Sequence, residues 1–248
     1  MSFLEKIRRA SEKNGSRIVL ALDLEGTERK QLEEASVDIL RNTSQHLCAV
    51  KINRQLVLAL GLKGGVDSIV QVAHQLSLPA IMDAKLNDVG HTNEFMMRSY
   101  IEAGFDAVVA SPVAGWEGGL DGVFKLANSH QKGVLLLVYM SNPGAAAFYS
   151  LTVGNGGKKP GLMFERLTEL AVEWGAHGIV VGATRPEIIS HVRELTGLGM
   201  DIYTPGVAVQ GGDAKKALDA GADYLIVGRA IYNADDPAKA AKNFRDIT

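Results

Sequence analysis

The chain has 248 residues, 46% hydrophobic and 22% charged, with 26 basic and 28 acidic residues leaving a formal net charge of -2. That composition supports one large core, and it excludes a broad basic surface for nucleic acid and a polybasic membrane anchor. The single cysteine, Cys48, excludes an intramolecular disulfide framework; within the apolar Leu47-Cys-Ala-Val50 it reads as a small buried thiol, as suits a reducing cytoplasm.

The opening Met1-Ser-Phe-Leu-Glu-Lys-Ile-Arg-Arg9 lacks the apolar core of a signal peptide, and no later run is long and apolar enough to span a bilayer. A soluble protein is expected. From there the chain repeats one unit: a short β-branched run, a polar or glycine-containing turn, then a segment of helical period. The runs are 17–23, 48–53, 79–83, 106–111, 134–140, 177–182, 201–205 and 222–228, and helical spacing marks 31–42, 66–76, 93–103, 162–174 and 186–195 among the segments between them. Glu102-Ala-Gly-Phe-Asp-Ala107, Trp174-Gly-Ala-His-Gly178 and Asp219-Ala-Gly-Ala-Asp223 fall where a helix should end, with glycine as the left-handed stop. Eight βα units in this length predict a (β/α)8 TIM barrel, residues 1–248 as a single domain, with its chemistry at the C-terminal strand ends. No G-x-G-x-x-G follows the first run, which argues against a doubly wound dinucleotide fold. The longest interruption, 141–161, is expected to be a mobile loop over the site.

The most informative segment is Asp83-Ala-Lys85-Leu-Asn-Asp88, after the apolar Leu78-Pro-Ala-Ile-Met82. On a strand Asp83 and Lys85 face the same side while Ala84 faces away, so two opposite charges enter one cavity. Asp88, farther into the turn, can fold back on Lys85 or reach across to another chain. Buried charges must be paired, solvated in a cleft or engaged with a substrate, and the density of charge here favours a working site over a structural ion pair. The same mouth collects Asp23, Lys51, Ser111, Ser141 and Arg229. After the last two strands, Thr204-Pro-Gly-Val-Ala-Val-Gln-Gly-Gly-Asp213 and Ile226-Val-Gly-Arg-Ala-Ile231 place small residues where backbone N–H groups can approach an anion, with Arg229 able to donate two parallel bonds to phosphate.

These residues resemble the orotidine 5′-monophosphate decarboxylase family over nearly the whole chain. Asp83-Ala-Lys85-Leu-Asn-Asp88-Val-Gly-His-Thr92 is similar to its Asp-x-Lys-x-x-Asp-Ile-x-x-Thr signature, and Ala21-Leu-Asp23 and Val50-Lys51-Ile52 end the first two strands as in the family. The resemblance implies that Asp23 and Lys51 hold ribose hydroxyls. It also implies an alternating Lys51-Asp83-Lys85-Asp88 charge chain in which Lys85 stabilises and protonates the C6 carbanion. By the same token Ser141 meets the pyrimidine amide, and Pro205, Gln210, Gly228 and Arg229 cover the base and grip the phosphate. No cofactor and no metal are implied, and the protein would be a homodimer with Asp88 and Thr92 entering the neighbouring site. The short Gln210-Gly-Gly212 loop resembles the compact microbial forms. Val89-Gly-His91 and the long 141–161 segment depart from the family pattern.

The alternative enzyme reading is a magnesium-dependent sugar-phosphate decarboxylase or aldol-type lyase on the same barrel. Such relatives carry a metal-binding Glu near the second strand; here Lys51 would repel the ion. A Schiff-base aldolase is disfavoured because Lys85 flanked by carboxylates should stay protonated. The non-enzyme reading is a phosphate-binding barrel with a relic site. His46, His74, His130 and His191 lack sequence neighbours at ligand spacing and read as solvated or structural, the His91/Glu94 pair lacks a second ligand set, and Lys158-Lys159 reads as a solvated tip.

Overall fold

The computed structural model describes residues 1–26, 28–155 and 158–248; the side chains of Lys158 and Lys159 lie outside that description, and the expected tip with them. Among the described residues ten strands occur, in chain order: β1 Ile18–Leu22, β2 Ala49–Asn53, β3 Ala80–Leu86, β4 Ala107–Ala110, β5 Gly133–Tyr139, β6 Thr152–Asn155, β7 Lys158–Leu162, β8 Gly178–Val181, β9 Ile202–Pro205 and β10 Tyr224–Val227. Eight of them close into a parallel barrel in the order β1-β10-β9-β8-β5-β4-β3-β2, and β6 and β7 form a separate antiparallel pair.

Barrel strands are covered on both faces, so they read as unbroken apolar runs, and side-chain alternation divides them between two cores. Val19, Ile81, Val109, Leu137, Val180 and Ile226 point inward and fill the barrel. Leu20, Met82, Leu136, Val181 and Val227 point outward and pack under the helices, against residues such as Leu40, Ile69, Phe124, Phe164 and Ile189. The segments read as helical are Arg29–Thr43, Asp67–Gln75, Gly90–Glu102, Met163–Glu173 and Pro186–Thr196. The expected glycine stops hold: Gly104 and Gly175 after two of these helices, and Gly221 after helix Ala214–Asp219, have φ of 94°, 67° and 107°. Among the described residues no single helix is long and apolar enough to cross a membrane.

Two elements differ from the sequence reading. Helix Phe3–Asn14 precedes the barrel, opened by a Ser2/Glu5 capping box, and its Phe3 and Ile7 plug the N-terminal end of the barrel interior. Segment 141–161, expected as a loop, contains the short helix Ala146–Tyr149 and the β6–β7 hairpin. Tyr149 anchors it by packing on Tyr139 of β5 at a ring separation of 5.2 Å. The period-based reading missed it because each piece is too short for a period to register.

Candidate active site

Strand β3 supplies the centre. It runs past Asp83 to Leu86 rather than ending there, and its register with β4 slips between Met82 and Leu86. Inside that irregularity Lys85 has φ 47, a left-handed conformation rare for a side chain without special affinity for it. The alternation still holds: Ala84 and Leu86 join the outer core, while Asp83 and Lys85 face the mouth. A strained residue in a functional cluster is where backbone strain is most often kept.

Asp83 is clamped by two cations. Lys51 Nζ donates to its Oδ2 at 2.7 Å and Lys85 Nζ to its Oδ1 at 2.6 Å. Burial pushes the Asp83 carboxyl toward protonation, but Lys51 and Lys85 outweigh it and hold its pKa far below the usual carboxylate range. Burial likewise pushes Lys51 toward neutrality, yet Asp83 and Asp23 prevail and raise it above the ordinary lysine value. Lys51 also lies 3.9 Å from Asp23 Oδ1, which is buried with no hydrogen-bond partner and is therefore a free acceptor. Gln55 Nε2 (2.7 Å) and the Tyr232 hydroxyl (3.3 Å) donate to the Asp23 carbonyl and fix that turn.

These groups surround a cavity of ≈ 170 Å³ whose polar edge includes Asp23, Lys51, Asp83, Lys85, Ser141 and Gln210. Val109, Leu137, Val180 and Ile226 form its apolar floor, which strengthens charge interactions above it. Pro205 lines the cavity too, and Ser141 is wedged in place: a Cβ on Gly182 would lie 2.6 Å from its Cα, and one on Gly206 2.8 Å from its Cβ. Thr184 Oγ1 further donates to the Ser141 carbonyl at 3.2 Å.

A second hollow of ≈ 90 Å³ adjoins the first through Asp23, Lys51, Pro205 and Gln210, and is lined by Gly206, Gly228 and Arg229. The loop around it is self-bonded, with Gly212 N donating to Gly206 O (3.1 Å) and Ala208 N to Gly212 O (2.8 Å). Gly206 at φ 93 and Gly211 at φ 90 permit those turns. Arg229 has no ion-pair partner among the described residues, so its guanidinium is free for an anion.

Asp88 and Thr92 stand apart. Neither lines the central cavity of its own chain. The Asp88 carboxylate accepts from its neighbour Val89 N at 2.7 Å, and Thr92 Oγ1 is 3.2 Å from His91 Nε2. Within one chain the charge chain therefore has three members, Lys51, Asp83 and Lys85, and the turn after Leu86 keeps Asp88 out of the central cavity, as a residue meant for a neighbouring site would be. Asp88 instead lines a groove of ≈ 650 Å³ with Arg54, Met96, Tyr100, Val113 and Phe148, reached from the cavity past Lys85.

Sequence reasoning missed one polar residue of the mouth and one that positions the turn beside it. Asn53, two positions beyond Lys51 on β2, lines the cavity, and the same strand alternation that paired Asp83 with Lys85 would have found it. Asn93 is fully buried and staples the Asp88 turn: its Nδ2 donates to the carbonyls of Asp88 (2.5 Å) and Gly119 (3.0 Å), and its Oδ1 accepts from Asp88 N (3.2 Å). Within the departing Val89-Gly-His91, a Cβ on Gly90 would lie 3.0 Å from the Gly118 carbonyl, a close approach that favours glycine there; nothing in the structure explains Val89 or His91. Three of the histidines have structural partners from distant elements, His74 with Asp106 at 2.8 Å, His191 with Glu165 at 3.0 Å and His177 accepting from Val134 N, while His130 bonds to its neighbours Ser129 and Leu126. Glu94 pairs with Arg98 at 2.6 Å rather than with His91. Cys48 is fully buried, and burial pushes its thiol pKa far up.

Comparison with known proteins agrees with this geometry. Residues 16–244 match the model of the orotidine 5′-phosphate decarboxylase / HUMPS family. A relative from Thermococcus kodakarensis named orotidine 5′-phosphate decarboxylase is 36% identical over 227 residues, covering 92% of this chain and 94% of the relative. Among solved structures, orotidine 5′-monophosphate decarboxylase from Methanocaldococcus jannaschii, in complex with the inhibitor BMP, superimposes with a TM-score of 0.78 at 27% identity over 94% of this chain and 98% of that one. Leishmania donovani UMP synthase gives a TM-score of 0.86 at 25% identity over 99% of this chain, which spans 55% of that longer protein. A closed parallel barrel, an Asp-x-Lys-x-x-Asp segment at its mouth and a family match over almost its entire length make this chain a member of the orotidine 5′-phosphate decarboxylase / HUMPS family.

Proposed function

We propose that the chain, as a single barrel domain, converts orotidine 5′-monophosphate to UMP and carbon dioxide. The observation that carries this reading is Lys51, whose ammonium sits 2.7 Å from Asp83 at the end of β2. A divalent ion at Asp83 would meet that cation, which disfavours the magnesium-dependent sugar-phosphate branch of the family. The catalytic set is Lys51, Asp83, Lys85 and Asp88. Asp23 accepts a ribose hydroxyl through its free Oδ1, Ser141 and Pro205 face the base, and Gln210, Gly228 and Arg229 take the phosphate.

The chemistry follows from charge. Breaking the C6–carboxylate bond leaves its electron pair on a ring carbon that delocalises it poorly, so catalysis must favour that anion over the bound ground state. Lys85 would face C6, oppose the developing charge and then supply the proton that completes UMP. Asp83 orients Lys85 from its far side. Phosphate contacts to Arg229, away from the reacting carbon, supply binding energy that holds the ring in place. A cytoplasmic site of action accords with the reduced, buried Cys48.

A homodimer completes the charge chain in this reading. Asp88 lies outside its own cavity, and Val113, Met140 and Phe148, which line the adjoining groove, are exposed, apolar surface of the kind that a second copy covers. Asp88 and Thr92 would then serve the neighbour's Lys85.

Loss of orotidine 5′-monophosphate absorbance with the purified protein tests the reaction, with turnover unchanged after exhaustive chelation. Activity lost on chelation and restored by magnesium moves the assignment to the sugar-phosphate branch. The shared site has its own test. Asp88→Asn and Lys85→Ala chains should each be nearly inactive, while an exchanged equal mixture recovers roughly a quarter of wild-type activity, since about half the dimers hold one intact site of two. No recovery after proven exchange assigns Asp88 to its own chain.

A further inference from the structure

A cleft of ≈ 410 Å³ opens at the opposite, N-terminal end of the barrel, between helix Phe3–Asn14 and the turn that leads into β3. Its lining includes Lys6, Arg9, Lys13 and His74 and no acidic residue. In a chain with more acids than bases, that one-sided lining is not a compositional accident. Lys6, Arg9 and Lys13 recur at helical spacing on one face, and Arg9 and Lys13, four apart, repel each other. The usual relief is absent. Glu5, four residues before Arg9, is turned back to cap Ser2 at 2.7 Å, and neither Arg9 nor Lys13 has an ion-pair partner among the described residues.

The nearby carboxylate, Asp106, cannot neutralise them. It is fully buried and already accepts from Lys6 (2.6 Å), Lys132 (3.5 Å) and the Ala80 amide (2.9 Å) and meets His74 at 2.8 Å. Its effect is to hold Lys6 and His74 in place at the cleft wall. Ser77, with φ 65, adds a hydroxyl on the facing turn, and Ala10 and Leu78 add apolar surface. The unpaired guanidinium of Arg9 and ammonium of Lys13, with the remaining donors of Lys6 and His74 and the Ser77 hydroxyl around one hollow, fit a tetrahedral, multiply charged oxyanion with an organic remainder.

We propose that this cleft binds a phosphorylated small molecule, at a site separate from the mouth. The two places lie at opposite ends of β3: Pro79 lines the cleft, and Asp83, four residues on, is about 13 Å away along a strand.

The experiment titrates protein labelled for NMR with inorganic pyrophosphate and, separately, with glycerol 3-phosphate, in an Arg229→Ala background that silences the phosphate grip at the mouth. Saturable shifts at His74 and Ser77 are expected, with the affinity falling about tenfold or more in Arg9→Ala/Lys13→Ala, the loss of charge-assisted bonds. Alanine favours the helix, so this double variant should fold, and its turnover in the wild-type background should be unchanged. Tighter glycerol 3-phosphate binding assigns the site to organic phosphates; tighter pyrophosphate binding assigns it to diphosphate groups. Absence of saturable shifts, equal affinity in the double variant, or equal response to sulfate overturns the proposal.

Discussion

The barrel buries an aspartate held by lysines at each end of β3, and the two differ in what is left over. Asp106, at the N-terminal end, is fully buried with its oxygens taken by Lys6, Lys132, His74 and the Ala80 amide. Asp83, at the C-terminal end, is clamped just as closely by Lys51 and Lys85, but Lys85 faces a cavity and Asp23 beside it keeps an unused acceptor. A saturated carboxylate braces the fold. A carboxylate whose cation still has free donors toward open space can work on a substrate.

Changing Lys85 should separate the two roles most widely. Lys85→Ala should lower kcat by at least roughly 10⁴-fold, since it removes both charge stabilisation and the proton donor. Asp83 keeps Lys51, so the unfolding free energy should move by no more than about 1 kcal/mol. Retained turnover would assign Asp83–Lys85 to bracing, like Asp106.

Arg229 gives the next effect. Arg229→Ala should reduce kcat/KM for the nucleotide by about 10³-fold, the loss of two charge-assisted bonds, and should scarcely affect a substrate lacking the phosphate. Equal losses on both substrates would place Arg229 in the framework.

Asp106→Asn should do the reverse of Lys85→Ala, costing about 3 kcal/mol of stability while leaving kcat of the folded protein unchanged. The figure sits at the low end for a broken buried pair because Lys6 remains partly in water. Burial acts to raise the Asp106 pKa, but hydrogen bonds from His74 and Lys6 outweigh it and hold it far below its unfolded value of about 4. Its contribution is therefore present above about pH 4 and lost as pH falls through the folded value, so urea unfolding of Asp106→Asn should depend less on pH below about 4 than wild type does. An unchanged acid limb would remove Asp106 from the bracing role.

Much of this molecule was legible in the chain because it rests on short-range rules. Eight apolar runs with helical segments and glycine stops between them define a barrel, since a parallel strand covered on both faces needs continuous apolar sequence and a returning helix. Asp83 and Lys85 were assigned to one cavity by the two-residue period alone, and Arg229 and Gly228 by their place after the last strand. The hairpin in 141–161 and helix Phe3–Asn14 were not legible: the first is too short for a period, and the second is identified as a plug only by the barrel interior it closes. The sequence left Asp88 free to fold back or to reach outward, and the tertiary structure chose between them, because a turn stapled by Asn93 sets its direction. Tertiary structure likewise decided that Lys6, Arg9, Lys13 and His74 share one cleft, and that Asp106 rather than Asp83 is saturated. A local pattern dictates which way a side chain faces along its own element, whereas the partners it meets are set by elements distant in sequence.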